Sequence, residues 1–312
     1  MMGLTLVYDD QSSYAWTPEM GDEDIVIRVS KSTLTASKWC PQQLWLSKTH
    51  EVPQVQHDYL VIGDDVHQSM EAFYHNIELD SITSLKKAAE EGKDRLVMDQ
   101  LKTWLPSRDE VIDMRRDASK DEPFYEREYD HNITWLLRNE ILRLAHTKPE
   151  HFLPVANEVK LSPVTKFHLD DGIVKVRLVG IIDRVFSDGD RGLALMELKT
   201  GKWHPRKLSA MRMEMAYYKM LIELSDHETL TEAGLIDPNP GGHTSDVTHW
   251  GWRYSAADRL DYEPVKRVSE RAMENSLNKL LRMYVDQEFP LTKDDFKCSY
   301  CDYMDLCPKY KT

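Results

Sequence analysis

Of the four cysteines in this 312-residue chain, Cys298, Cys301 and Cys307 are packed as C-x2-C-x5-C near the end, while Cys40 stands alone near the start. Two thiols separated by two residues can turn onto one metal centre. Closing them as a structural disulfide strains the loop, and three crowded cysteines leave one without a local partner. Cys40 is the obvious fourth ligand. A centre held by all four would close a loop of 298 − 40 = 258 residues, the kind of long closure that chain-entropy arguments expect to stabilise most. Four thiolates suit tetrahedral zinc as well as an iron-sulfur cluster. The isolated cysteine and Pro308 directly after Cys307 lean towards a 4Fe-4S cluster. The plain alternative is four ordinary buried thiols.

A second set of chemically capable residues lies mid-chain. Asp183 is followed fourteen residues later by Glu197-Leu198-Lys199. Side chains two apart on a strand share a face, so Glu197 and Lys199 point together and Leu198 points to the core. If the two segments pair as a hairpin, Asp183 comes near Glu197. Two carboxylates that close repel each other unless a cation lies between them, and a divalent metal such as Mg or Mn is the common solution. A lysine beside such a site can orient water or stabilise charge on a phosphate. Metal-dependent phosphodiester hydrolysis uses all three. Taken alone, E-x-K is more often a solvated strand face.

The elements that must position these groups are readable from periodicity. Residues 24–29 alternate as a strand, and 30–48 follow with a serine cap signal and helical spacing, with Cys40 on or just beside the helix. A second helix is expected to begin just after Gly63 and to place Val66, Met70 and Phe73 on one face. Residues 80–150 are charged and helical in period, which reads as a helical insertion. From Pro154 the character changes. Strands are expected at 155–161, 173–186 and 193–199, divided by Asp171-Gly172 and Asp188-Gly189 turn signals, with another at 247–254. Helices are expected at 205–225 and 265–287, with a loop at 237–246. The absence of repeats or low-complexity linkers points to one elaborated α/β domain over 1–312, a central mixed sheet flanked by helices, closed by a loop at 298–307 that returns to Cys40.

Composition sets the setting. A hydrophobic fraction of 41% fits a globular protein with a real core. No apolar run approaches the ~20 residues of a bilayer span, and the opening MMGLTLVYDDQSSYAW lacks a secretory pattern. A reducing, cytoplasmic location without membrane contact is the expectation. The net charge of −13 argues against coating nucleic acid non-specifically. It leaves room for a nucleic-acid enzyme with basic contacts confined to one groove. Between 199 and 219 lie Lys199, Lys202, Arg206, Lys207, Arg212 and Lys219 against a single acid, Glu214. That stretch is the expected DNA path, with His204 and Trp203 as candidate stacking groups, Trp203 being equally suited to packing.

In this order the motifs resemble the PD-(D/E)XK nuclease superfamily, and within it the RecB-type iron-sulfur exonucleases, which include CRISPR-associated, AddB-type and viral members. Ser30-Lys31-Ser32-Thr33-Leu34 with Trp39-Cys40-Pro41 is similar to the opening segment, Gly63-Asp64-Asp65-Val66-His67 to the histidine motif, Asp183 to the second motif and Glu197-Leu198-Lys199 to the third. The resemblance implies a restriction-endonuclease-like fold. Asp183, Glu197, His67 and the Leu198 carbonyl would hold Mg or Mn, Lys199 would position the attacking water, and Tyr218 would sit at the rim. Cys40, Cys298, Cys301 and Cys307 would hold the cluster. Glu158 lies where the family often has an acid, and Glu214 stands four residues before Tyr218 in place of the usual glutamine.

The expected activity is a Mg- or Mn-dependent DNA exonuclease acting on single strands or duplex ends, with a helicase or recombination protein as a partner. Two competing readings are a nuclease-fold subunit that grips DNA or such a partner without cutting, and a zinc-stabilised regulatory module with an incidental E-x-K. The intact His67, Asp183, Glu197 and Lys199 set favours cutting.

Overall fold

The computed structural model describes residues 5–7, 15–17, 26–50, 57–114, 120–169, 172–189, 192–239 and 241–310. Asp24, Ile25, Asp171, Pro240 and most of the opening segment, for which expectations were given above, lie outside the described residues.

A two-stranded ribbon, β1 (Thr5–Val7) and β2 (Ala15–Thr17), precedes β3 (Val26–Ser30). The next segment is helical but divided, into α1 (Lys31–Trp39) and α2 (Pro41–Thr49). Ser30 caps α1 through a capping box with Thr33, as the sequence signals. The break falls at Cys40, which is extended at φ −157° and ψ 110°. Pro41 causes it, because a proline disfavours helical geometry in the residue before it while suiting the first position of a new helix.

Four more helices and a long fifth follow: α3 (Asp58–Asn76), α4 (Leu79–Glu90), α5 (Asp94–Thr103), α6 (Arg108–Met114) and α7 (Glu122–His146). The charged stretch from 80 is thus helical, as its periodicity predicts. Gly63 does not precede α3 but lies inside it. A Cβ at that position would come within 3.2 Å of the Thr200 hydroxyl, so the missing side chain lets α3 approach the turn after the E-x-K segment.

The sheet comes next: β4 (Ala156–Leu161), β5 (Val164–Leu169), β6 (Gly172–Ser187) and β7 (Leu193–Lys199). After α8 (Leu208–Leu224) and α9 (His227–Glu232) come β8 (Val247–Tyr254) and β9 (Arg259–Pro264), then α10 (Arg267–Asp286) and α11 (Asp295–Cys298). Seven strands form one mixed sheet with β3-β6-β7-β8-β9 as its path, and β4 and β5 both pair with β6. β3 runs parallel to β6 and β7 parallel to β8, while the other pairs are antiparallel. Sixteen-residue β6 is the spine. Its first half joins β3 and β5, and its second half joins β4 and β7.

Both faces of β7 are covered, which its nearly continuous burial reflects. Leu193 and Leu195 belong to a core built with α8 and α10, whereas Met196 and Leu198 belong to a core built with α3, α4, α5 and α7. Val66, Met70 and Phe73 are fully buried in the second core, as their spacing predicts. The β6–β7 turn forms at Asp188-Gly189, with the Asp188 carboxylate accepting from the Gly192 N–H at 3.0 Å. No described helix is long and apolar enough to cross a membrane.

Candidate active site

The β6–β7 register places Arg184 opposite Met196, so Asp183 and Glu197 occupy the next cross-strand position on one face. Both are buried, at 7% and 2% exposure. The Leu198 N–H donates to Asp183 Oδ2 at 2.6 Å. On β4, Glu158 takes φ +45°, a left-handed backbone value that costs a residue with a side chain about 1–3 kcal/mol. The distortion falls beside Asp183, between the Asn157–Arg184 and Val159–Ile182 pairs.

His67 reaches the same place from α3. Its Nδ1 lies 3.6 Å from Glu158 Oε1 and 3.8 Å from Asp183 Oδ2, and its Nε2 lies 3.2 Å from the Leu198 carbonyl oxygen. Ligand atoms of His67, Glu158 and Asp183 all lie within 4.8 Å of one another. Burial works against a charged imidazole here, but the Asp183 and Glu158 carboxylates outweigh it and hold His67 above its ordinary value. Burial first, and then the neighbouring Glu197, push Asp183 up to about 6.

Two buried carboxylate oxygens, Glu158 Oε1 and Glu197 Oε2, have no hydrogen-bond partner. Hard carboxylate oxygens, a backbone carbonyl and one imidazole suit Mg or Mn. The residues therefore fit a divalent ion. Glu158 joins this group through its backbone kink, which no periodicity announces.

Glu197 turns its other oxygen to two cations. Lys199 Nζ donates to Glu197 Oε1, and also to Glu214 Oε1 at 2.9 Å. Lys31 Nζ donates to the same Glu197 oxygen at 3.2 Å and pairs with Glu214. Burial would push Glu197 up, yet Lys199 and Lys31 overrule it and hold the carboxyl far below its usual range. Glu214 is pushed up to about 7 by burial and by Glu197, against the pull of the two lysines. Both lysines are held above their ordinary value because Glu197 and Glu214 outweigh the cost of burial.

Lys31 is the participant that sequence reasoning passed over, although it stands inside the Ser30-Lys31-Ser32 motif. A cation in the first turn of a helix opposes the helix dipole, and that misfit was the available signal. Glu214 enters from α8, which packs tightly on β6: a Cβ on Gly180 would meet Leu221 Cδ1 at 2.6 Å.

Two expectations need correction. Tyr218 does not sit at a rim. It is 2% exposed, packed in the sheet core with Lys31 Nζ 5.6 Å from its ring centroid. Helical periodicity turns it towards the sheet, and burial leads the effects that raise its hydroxyl above the ordinary value. Second, half of the basic stretch is already neutralised. Arg212 grips Glu263 with two bonds at 2.6 and 2.7 Å, and Lys219 pairs with Glu223 and Glu270. Lys202, Arg206 and Lys207 are exposed. Of the two roles open to Trp203, packing is the one seen: its face is covered by the Arg259 guanidinium at 3.7 Å.

The four cysteines converge at the other end of α1. Cys40, Cys298, Cys301 and Cys307 line one small cavity, and none forms a disulfide. Lys297 Nζ donates to the carbonyls of Lys38 and Trp39 at 3.2 and 3.0 Å, fastening the terminal loop to the end of α1. Lys309 Nζ lies 3.4 Å from Cys298 Sγ.

No curated protein matches the chain. Among solved structures it is similar to one described as "Crystal structure of SSO0001", at 11% identity and a TM-score of 0.33, covering 81% of this chain and 96% of that one. That likeness is too slight to carry an argument. Residues 28–308 match the family described as the PD-(D/E)XK nuclease superfamily. With nearly the whole chain inside that match, and with Asp183, Glu197 and Lys199 meeting on two paired strands, this protein belongs to the PD-(D/E)XK nuclease superfamily.

Proposed function

We propose that this chain is a Mg- or Mn-dependent DNA exonuclease, one domain over 1–312, whose ends are held together by a 4Fe-4S cluster. Membership in the superfamily implies a nuclease that uses divalent metal and binds nucleic acid. The observation that supports metal-dependent cleavage is the convergence of His67, Glu158 and Asp183 beside Glu197, with Lys199 on the same strand face; the exonuclease reading rests on the RecB-type resemblance of the motifs.

His67, Asp183, the Leu198 carbonyl, Glu197 and Glu158 would hold the ion, which when bound supplies a polarised water and neutralises phosphate charge. Lys199 is held charged by its two carboxylate neighbours. It therefore stays a donor towards a scissile phosphate or a water at any pH near neutrality. Lys31 keeps Glu197 ionised and fixes its Oε1, leaving Oε2 free to face the cation. Lys202, Arg206 and Lys207 follow directly on the site and supply a short basic path for a strand.

For the cluster, the donor set is four thiols lining one cavity, drawn from the two ends of the chain. Four thiolates satisfy either an iron-sulfur cluster or zinc, and Pro308 after Cys307 favours iron.

The test is degradation of end-labelled linear DNA beside a circular form, with Mn and with EDTA. Mn-dependent loss of the linear form alone is the expected result. Equal loss of the circle would make the enzyme an endonuclease, and no loss of either would remove the catalytic reading.

A further inference from the structure

A second cationic site lies on the opposite face of the sheet from Glu197 and Lys199. The end of α7, the β6–β7 turn and strands β7 to β9 enclose a cavity of about 560 Å³. Among the described residues, Arg143, His146, Lys148, His151 and Arg253 line it, against one carboxylate, Asp188. In a protein of net charge −13 such a lining does not follow from composition.

Beneath these groups the charge balance is uneven. Arg253 is 1% exposed and Glu140 fully buried; Arg253 Nη1 donates to Glu140 Oε1, and Arg143 Nε donates to Glu140 Oε2 at 3.0 Å. One carboxylate thus serves two guanidiniums. Arg253 Nε is left buried without an acceptor. Arg184, facing the same side as Met196, is a third buried guanidinium whose three nitrogens find no acceptor; it lies over the Tyr74 ring at 5.1 Å and does not line the cavity. Burying donors unpaired is costly, and an anion in the cavity that Arg253 lines relieves the part of that cost that falls on Arg253. Asp188, whose oxygens accept from the Thr248 hydroxyl and the Gly192 N–H, keeps its negative charge and offsets one of the lining cations.

We propose that this cavity binds a phosphoryl group, and that it is sized and lined for a nucleoside monophosphate. Cavities of roughly 300–1,000 Å³ suit ligands of that size. Arg143, whose Nε and Nη2 already serve Glu140 and the Phe152 carbonyl, lines the inner wall with Arg253; exposed His146 and Lys148 stand nearer the opening, and half-exposed Tyr262, stacked on one side by His249, supplies aromatic surface for a base. The site does not depend on the nuclease reading, since no residue is shared between the two.

The experiment is calorimetric titration of the whole protein in EDTA, which removes metal-dependent binding at the acidic centre. The probes are dAMP, inorganic phosphate and deoxyadenosine. Saturable binding of dAMP, none of deoxyadenosine, and a loss of about tenfold or more in Lys148→Glu are expected, the effect of one charged contact. Arg143→Gln should weaken it further; if that variant fails to fold, the exposed Lys148 still decides. Binding of phosphate with no gain for dAMP, equally sensitive to Lys148→Glu, would identify free phosphate as the occupant. Absence of binding, indifference to both substitutions, or equal binding of deoxyadenosine would overturn the proposal.

Discussion

Asp183→Asn should make the metal-free protein more stable, although it removes a residue of the acidic centre. The carboxyl is held at about 6 instead of its ordinary 3.8, chiefly by burial and by Glu197. At about 1.4 kcal/mol for each tenfold, that corresponds to roughly 3 kcal/mol of strain in the ionised form. The sign follows from linkage. A raised folded value means that the contribution is fully present below pH ~4 and is lost as pH rises through about 6. Asparagine keeps an oxygen for the Leu198 N–H but weakens that bond and the contact with His67, an offset of about 1–2 kcal/mol. A net gain of about 1–2 kcal/mol at pH 8 remains, a few degrees in melting temperature. The assay is thermal melting of parent and variant in EDTA from pH 4 to 8, repeated with Mn. The gap should close towards pH 4. With Mn the order should reverse, because the parent gains about 2.7 kcal/mol at a hundred times its Kd and the variant does not. A variant less stable than the parent at pH 8 in EDTA, by an amount independent of pH, would mean that these carboxylates are not held in wait for a cation.

Lys199→Ala should slow cleavage on the order of 100-fold while calorimetry shows Mn still bound, since lysine does not coordinate the ion; cutting at the parental rate would remove Lys199 from the mechanism. Cys40→Ser should abolish iron binding in anaerobically purified protein and lower the melting temperature, because it unties residues 258 apart; stoichiometric zinc without iron in the parent would replace the cluster by a zinc site. Arg206→Ala with Lys207→Ala should weaken DNA binding and flatten its salt dependence. Arg212→Ala, by contrast, should cost stability through loss of the Glu263 pair and leave the salt slope alone; the opposite pattern would move the DNA path.

What could be read in advance was whatever a local pattern announces. The β6 and β7 strands, the Asp188-Gly189 turn between them and the meeting of Asp183 with Glu197 follow from alternation and turn chemistry. So does the burial of Met70 and Phe73. Besides the short β1–β2 ribbon, two strands of the main sheet escaped notice, and for a physical reason. β5 (VTKFHL) and β9 (RLDYEP) pair on the sheet with one side wet, so their residues alternate between intermediate and exposed and carry charges, Asp and Pro that argue against a strand. The Cys40 break was written in Pro41 but masked by continuous apolar spacing on either side. Lys31 and Glu158 entered the site through space: one by a helix start that touches the next layer, the other by a backbone kink. Neither leaves a periodic trace.

The shortness of α1 has a mechanical consequence. Nine residues at about 1.5 Å each make a rod of about 13 Å, with Lys31 at one tip and Cys40 just past the other. A helix transmits displacement along its axis without much compression, and here Lys297 clamps the far tip through the Lys38 and Trp39 carbonyls. Loosening the cysteine cavity therefore does not stay local: it frees the strut that presses an ammonium against Glu197 and Glu214. The thiol end acts as the anchorage and the acidic centre as the point of aim, so a change that never touches the carboxylates can still spoil their alignment.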